Sequence, residues 1–237
     1  MHSVTCFITI AISFFAAAPS VLAGKRGLAW PWYNEDTNLD PGKLASDQVT
    51  WMYNWETWHP AKTAGLNFIG TQGVLDSSAS PITQLKTRAA QQKWNTVFSL
   101  NEPDLNGISP TTAANWYIKW INPLNITAAA PAVSSIQKTG QGLDWTANFI
   151  SACNGNCKFD YINLHWYGST FAQFRTYVQN AHNRFPNNKL VISEFGVTSP
   201  STRDQKLGFL KQAISFLDSA EYVDLESHVS LNYSLRY

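Results

Sequence analysis

The chain has 237 residues, of which 44% are hydrophobic, 14% aromatic and 14% charged, a balance that excludes a disordered tail and fits one compact core. Seventeen Lys and Arg against sixteen Asp and Glu leave a formal charge of +1 with no basic cluster, so nucleic acid is not an expected partner. No later segment reaches the ~20 consecutive apolar residues of a membrane-spanning helix, and no association with a membrane is expected.

The opening stretch, MHSVTCFITIAISFFAAAPSVLAGKRG, has an apolar run over residues 6–18, a helix-breaking Pro19 and small residues at Val21 and Ala23. This pattern predicts a secretory signal peptide over 1–23, a single domain over 24–237, and a secreted, extracellular or cell-wall location. The Lys25-Arg26 pair just beyond is either a dibasic trimming site or the polar entry to the first strand.

Seven β-rich runs follow: KRGLAWPW (25–32), TWMYNW (50–55), LNFIGTQ (66–72), NTVFSLNEPD (95–104), NITAAAPAV (125–133), FDYINLHWYG (159–168) and KLVISEFG (189–196). Between several of them lie amphipathic stretches that predict helices over 80–93, 109–124, 142–154, 170–185 and 201–220. Four of these open on Ser or Thr, and two of those four place Pro in the first turn. Alternating strands and helices imply right-handed crossovers and a parallel sheet, either covered by helices on both faces or closed into a ring. About 214 residues would remain after processing, and a compact (β/α)8 TIM barrel is feasible from roughly 200 residues upward. An open doubly wound sheet is the alternative, but no Gly-rich phosphate loop follows any of the strands. The final segment, EYVDLESHVSLNYSLRY, offers only a short, charge-interrupted eighth strand at 222–225 and no closing helix, so the eighth β/α unit is expected to be incomplete.

With Cys6 in the signal segment, Cys153 and Cys157 remain in the loop ACNGNCKFD. An even pair bracketing a Gly-Asn turn, in a chain bound for an oxidising compartment, predicts a local disulfide; no His nearby completes a zinc set. No metal and no organic cofactor are expected. Sequons at Asn125 and Asn232 are compatible with secretion.

In parallel barrels the catalytic groups stand at the carboxyl ends of the strands, where the loops build the pocket. Glu102 ends the fourth run and Glu194 the seventh, positions that face one another across a small ring. Two opposed carboxylates suit glycosidic bond cleavage: one protonates the leaving oxygen while the other attacks the anomeric carbon or activates water. The motifs LNEPD and ISEFG resemble the acid/base and nucleophile signatures of the large (β/α)8 glycoside hydrolase clan. The wider set GLAWPWYNED, WMYNWETW, NFIGTQ, LNEPD, INLHWYG and ISEFGVTS is similar to the fungal endo-β-1,3-glucanases of glycoside hydrolase family 128, over nearly the whole chain to about Asp218. That resemblance implies a barrel acting on β-1,3-glucan with retention of configuration, Glu102 being the proton donor and later base and Glu194 the nucleophile. A monomer is the expected state. A glucan-binding protein without catalysis is the alternative, on the ground of the missing closing strand.

Asn101 is assigned to the sugar 2-hydroxyl, since its amide can donate there in the transition state. Alternation along the sixth run puts His165 and Tyr167 on one face and Trp166 on the other unless a bulge intervenes, and all three are taken as candidates for the cleft. Tyr167 could donate to Glu194 and keep it ionised. Trp30 and Trp32 at the end of the first run, with Trp51, Trp55 and Trp58 around the second, are candidates for stacking on sugar rings. Trp116, Trp120 and Trp145 fall in helical stretches and are read as packing. Glu35 and Glu56 are loop carboxylates ranked below the main pair.

Overall fold

The computed structural model describes residues 24–229; the predicted signal segment and the Asn232 sequon lie outside them. Nine strand segments are β1 (Arg26–Ala29), β2 (Val49–Tyr53), β3 (Asn67–Phe68), β4 (Gly70–Thr71), β5 (Thr96–Phe98), β6 (Thr127–Ala128), β7 (Tyr161–Gly168), β8 (Lys189–Val197) and β9 (Val223–Val229). Five α-helices separate or follow them: α1 (Leu85–Gln91), α2 (Pro110–Trp120), α3 (Leu143–Cys153), α4 (Phe171–Arg184) and α5 (Arg203–Ser219). The helix starts follow the capping chemistry of the sequence. Ser109 caps α2 with Pro110 in its first turn, and Thr170 and Thr202 form capping boxes with Gln173 and Gln205. Ser80 does not cap α1; its hydroxyl is engaged by Glu56 and Thr57, and the helix begins only after a 3-10 turn at Ile82–Gln84.

The pairings between described strands are parallel. They run β3-β2-β1-β9-β8-β7 in one sheet and β4-β5-β6 in the other. The two sheets meet twice. At one junction β3 and β4 are a single strand interrupted at Ile69, whose N–H donates to Met52 O (2.9 Å). At the other, parallel bridges Ala129↔Tyr161 and Val133↔Leu164 tie the continuation of β6 to β7. Successive pairings thus trace a ring of eight parallel positions, the fold expected from the interleaved sequence.

The eighth position is better formed than the sequence suggests. β9 extends to Val229, in register with β1 from Arg26↔Glu226 to Ala29↔Val229, and is also paired with β8. The charges that interrupt the run have places outside the ring. Leu225 packs with the inner cluster and Ser227 bonds Ser193 O, while Glu226 meets Arg26 beneath α5. Inside the ring Ala29, Trp51, Tyr53, Ile69, Phe98, Ala129 and Val191 form one apolar cluster; a larger one fills the layer between strands and helices. Gly27 makes the inner layer possible, because a Cβ there would stand 2.2 Å from the Trp51 ring. Cys153 and Cys157 are bonded (S–S 2.04 Å), as the spacing predicts.

Glu226 makes stability depend on pH. Burial pushes its carboxyl up from the ordinary 4.5 to about 7, against the partial opposition of Arg26. The folded state therefore holds a proton that the unfolded chain releases between about pH 4.5 and 7. Stability is present below that window and falls as pH rises through it, by about 3 kcal/mol for a shift of this size. Chemical denaturation at pH 5 and pH 8 should show Glu226→Gln flattening this dependence and exceeding the parent at pH 8. A variant weaker than the parent at pH 8 would mean that the Arg26 pairing outweighs burial.

Candidate active site

The backbone re-aims Glu102 at the point where its strand ends. Asn101 still pairs across to Ala132, and Glu102 N donates to Ala132 O (2.8 Å), so the chain is anchored up to this residue. Glu102 then adopts φ +44°, in the left-handed region that non-glycine residues seldom occupy. Its carbonyl accepts from the N–H groups of Leu105 and Asn106 and from the Asn106 side chain, each at 3.0 Å, which holds the turn. Asp104 fastens the same loop to its neighbours, accepting from Ser134 Oγ (2.6 Å), Ser134 N (3.2 Å) and Gly142 N (2.9 Å). The carboxyl that follows a buried strand is thereby turned into the mouth of the ring.

Glu194 is delivered by a bulge. In β7 and β8, Leu164 pairs with Ile192 but His165 pairs with Glu194, so Ser193 is the extra residue. Ser193 and Glu194 both turn inward as a result, and Phe195 resumes the outward face against Phe174. Glu194 is only 8% exposed and both its oxygens are occupied. Trp55 Nε1 donates to Oε1 at 2.7 Å and Tyr167 OH to Oε2 at 2.7 Å, with Tyr53 OH at 3.5 Å from Oε1. Burial, and then the charge of Glu194, hold the Tyr53 phenol well above its ordinary 10.0, so it stays a donor. Donors of this kind stabilise the ionised form of the carboxylate they serve.

His165 lies between the two carboxylates. Its Nδ1 is 3.0 Å from Glu102 Oε1, and its Nε2 is 3.4 Å from Glu194 Oε1 and 3.1 Å from Ser193 Oγ. Burial alone would lower its pKa, but Glu194 and Glu102, with Asp104 behind them, outweigh burial and raise it above 6.5. Above these groups opens a groove of about 660 Å³ lined by Pro31, Trp32, Tyr33, Asn54, Trp55, Glu56, Asn101, Glu102, Leu105, Ser134, Ser135, Ile136, Tyr167 and Glu194. Aromatic faces, amides, hydroxyls and two carboxylates in one cleft suit a polyhydroxylated ring compound, with one face for stacking and polar groups for the hydroxyls.

The structure brings Asn101, Glu102, Trp32, Trp55, Tyr167 and Glu194 to the groove and puts His165 directly beneath it. It places four of the expected tryptophans elsewhere, and Trp51, 2% exposed, belongs to the apolar cluster inside the ring. Trp30 is 5% exposed and belongs to the outer core, because β1 ends at Ala29 and the next residue points toward the helices. A 3-10 turn after Pro31 then carries Trp32 into the groove. Trp166 is on the opposite face of β7 from His165 and Tyr167, as alternation dictates, and packs on Phe174 and Phe209. Trp58 is exposed, stacks on His59 and is not among the residues that line the groove. Glu35 accepts from Ala61 N (3.1 Å) and ties a loop, whereas Glu56 lines the groove. Tyr53 and Ser193 escaped the sequence reading. Tyr53 sits between Trp51 and Trp55 at a spacing of two, a signal that could have found it; an unpaired bulge residue leaves no such signal.

Tyr167→Phe removes one donor from Glu194 and leaves the ring in place. Loss of a hydrogen bond to a charged group should lower turnover about 10- to 100-fold. Steady-state kinetics on the polysaccharide checks this, and parent-like turnover would separate Tyr167 from the chemistry.

The comparisons with known proteins agree with this geometry. The family model for the glycosyl hydrolase catalytic core matches residues 27–232, and the chain belongs to that family. A solved endo-β-1,3-glucanase of glycoside hydrolase family 128, subgroup IV, from Lentinula edodes is 53% identical. It superposes with a TM-score of 0.84 over 88% of this chain and 84% of that one, which places the present chain in family 128. A curdlan-specific exo-β-1,3-glucanase of subgroup III from Blastomyces gilchristii, solved with glucose, is 26% identical, with a TM-score of 0.76 over 90% of this chain and 92% of that one. Alkali-sensitive linkage protein 1 of Schizosaccharomyces pombe is 30% identical over 210 residues, which is 84% of this chain but 37% of that protein's length.

Proposed function

We propose that this chain is a secreted, monomeric endo-β-1,3-glucanase that cleaves cell-wall glucan with retention of configuration. The observation that carries the reading is the meeting of Glu102 and Glu194 at the two nitrogens of one imidazole in the floor of an aromatic groove. Glu194, with donors on both oxygens, suits the nucleophile; Glu102, more exposed and bonded to a titratable His165, suits the group that gives and takes a proton. In the first step Glu102 protonates the departing glycosidic oxygen while a Glu194 oxygen bonds to the anomeric carbon. In the second, Glu102 takes a proton from water, whose oxygen bonds to that carbon as the Glu194 ester breaks. Trp32 and Trp55 stack on flanking sugars, and Asn101 meets the 2-hydroxyl.

The 53% identity to an endo-acting enzyme, against 26% to an exo-acting one, favours internal cleavage. The binding-only alternative rested on a missing closing strand, and β9 occupies that place. Secretion rests on the signal-like opening and on a disulfide that suits an oxidising compartment. The test is a substrate panel of laminarin, curdlan, cellulose and mannan. A ladder of β-1,3-linked oligosaccharides, released first as the β-anomer, is expected from laminarin. A single small product would indicate exo action, first release of the α-anomer would indicate inversion, and no product from any glucan would leave binding alone.

A further inference from the structure

The catalytic reading assigns no role to the bulge residue Ser193 or to Asn163 on β7, yet both are buried directly under the two glutamates. Their hydrogen bonds can be oriented without ambiguity. The backbone N–H of Ser193 points at one atom of the Asn163 amide, at 3.4 Å, and a backbone N–H can only donate, so that atom is the carbonyl oxygen. The Ser193 hydroxyl is 2.8 Å from the same oxygen, which accepts only; the hydroxyl proton is therefore committed to Asn163. What Ser193 Oγ presents to His165 Nε2, at 3.1 Å, is a lone pair. Nε2 must then carry a proton in the neutral ring as well as in the cation, and Glu194 Oε1 at 3.4 Å from the same nitrogen is a further acceptor. The nitrogen left to gain or lose a proton is Nδ1, which faces Glu102 Oε1 at 3.0 Å.

We propose that Ser193 is a positioning residue that fixes the tautomer of His165, so that the general-acid proton is shared between Glu102 and His165 Nδ1 and cannot be replaced by a standing Nδ1–H donor. In the neutral Nδ1–H tautomer the imidazole would donate to Glu102 and hold it as a carboxylate, with no proton for the leaving oxygen. With Nε2 reserved, a neutral ring offers Glu102 only a lone pair, and the carboxyl keeps its proton until the glycosidic oxygen takes it. The charged groups that act on the imidazole are Glu102 and Asp104 from the loop after β5 and Glu194 from β8, the last of which accepts in turn from the phenols of Tyr53 and Tyr167. Net negative charge among them favours keeping one proton on the Glu102–His165 pair, consistent with the upward shift of the imidazole.

This rests on the hydrolytic reading of Glu102, but its decisive measurement does not use activity. The sequence has five histidines, so a two-bond 1H–15N correlation spectrum of the 15N-His-labelled chain, with His165→Asn for assignment, can read the tautomer directly. Neutral His165 is expected as Nε2–H in the parent; a parent ring carrying its proton on Nδ1 overturns the proposal, whether or not any variant folds. In Ser193→Ala the Nδ1–H form should appear. Turnover of laminarin should fall about tenfold, the scale of one charge-assisted hydrogen bond, with KM changed less than about twofold. The alkaline limb of the kcat–pH profile should move to lower pH, and Ser193→Thr, which keeps the hydroxyl, should restore it. A Ser193→Ala profile that coincides with the parent also overturns the proposal. Failure of the parent to release sugar would instead strike the hydrolytic reading and leave the tautomer result standing.

Discussion

Glu194→Ala is expected to lower kcat on β-1,3-glucan by about 10⁴-fold or more, the scale on which removal of a covalent nucleophile acts in other enzymes. The carboxylate is the acceptor of Trp55 Nε1 and Tyr167 OH, so the variant also leaves two donors facing a small cavity. Both lie at the groove, where water or a small anion can reach them, and the fold should survive because Glu194 supports no strand pairing through its side chain. That cavity makes a second, sharper measurement possible. Azide admitted to it, with an aryl β-glucoside whose leaving group needs no proton, can attack the anomeric carbon from the face that Glu194 vacated. Its electron pair forms the new bond as the aryl oxide leaves with the old one, and the product is the α-glucosyl azide. A β-configured azide would assign Glu194 to the other face of the sugar, and parent-like turnover without azide would remove it from the mechanism.

The parts of the site that lie at strand ends were legible because two physical signals coincide there. Glu102 and Glu194 each close an apolar run, and a parallel barrel brings the carboxyl ends of its strands to one face. Alternation correctly separated Tyr167 and His165 from Trp166, whose indole is in the helix layer. Trp30 and Trp32 have the same spacing, but strand periodicity stops at Ala29, and only the turn after Pro31 brings Trp32 to the groove. Aromatic composition could not make that distinction, since a buried indole and a stacking one are the same residue. The eighth strand was underestimated because Asp224 and Glu226 break its hydrophobic run; their partners, Lys189 and Arg26, are distant in sequence and adjacent only in the folded ring. The Ser193 bulge was invisible for a related reason. One residue more in β8 than in β7 is a property of the pairing, and neither strand alone records it.

Glu102→Gln is expected to separate the two half-reactions. Glutamine fills the same volume and can donate its amide N–H to the Nδ1 lone pair of His165, so the site should keep its shape while losing its transferable proton. On glucan the leaving group is a sugar alcohol that departs poorly as an alkoxide, and loss of general acid catalysis should lower kcat by about 10²- to 10⁴-fold. With a dinitrophenyl β-glucoside the first step needs no proton and should continue near the parent rate. The second step still needs a base to activate water, and Glu102 is the group that would have served. The glycosyl ester on Glu194 should therefore accumulate. Stopped-flow absorbance should record a burst of dinitrophenol close to one equivalent, and intact-mass analysis of the quenched enzyme should show one added glucosyl unit mapped to Glu194. A loss of equal size on glucan and on the dinitrophenyl substrate, with no burst, would mean that Glu102 orients the sugar or the imidazole and that the proton comes from another group.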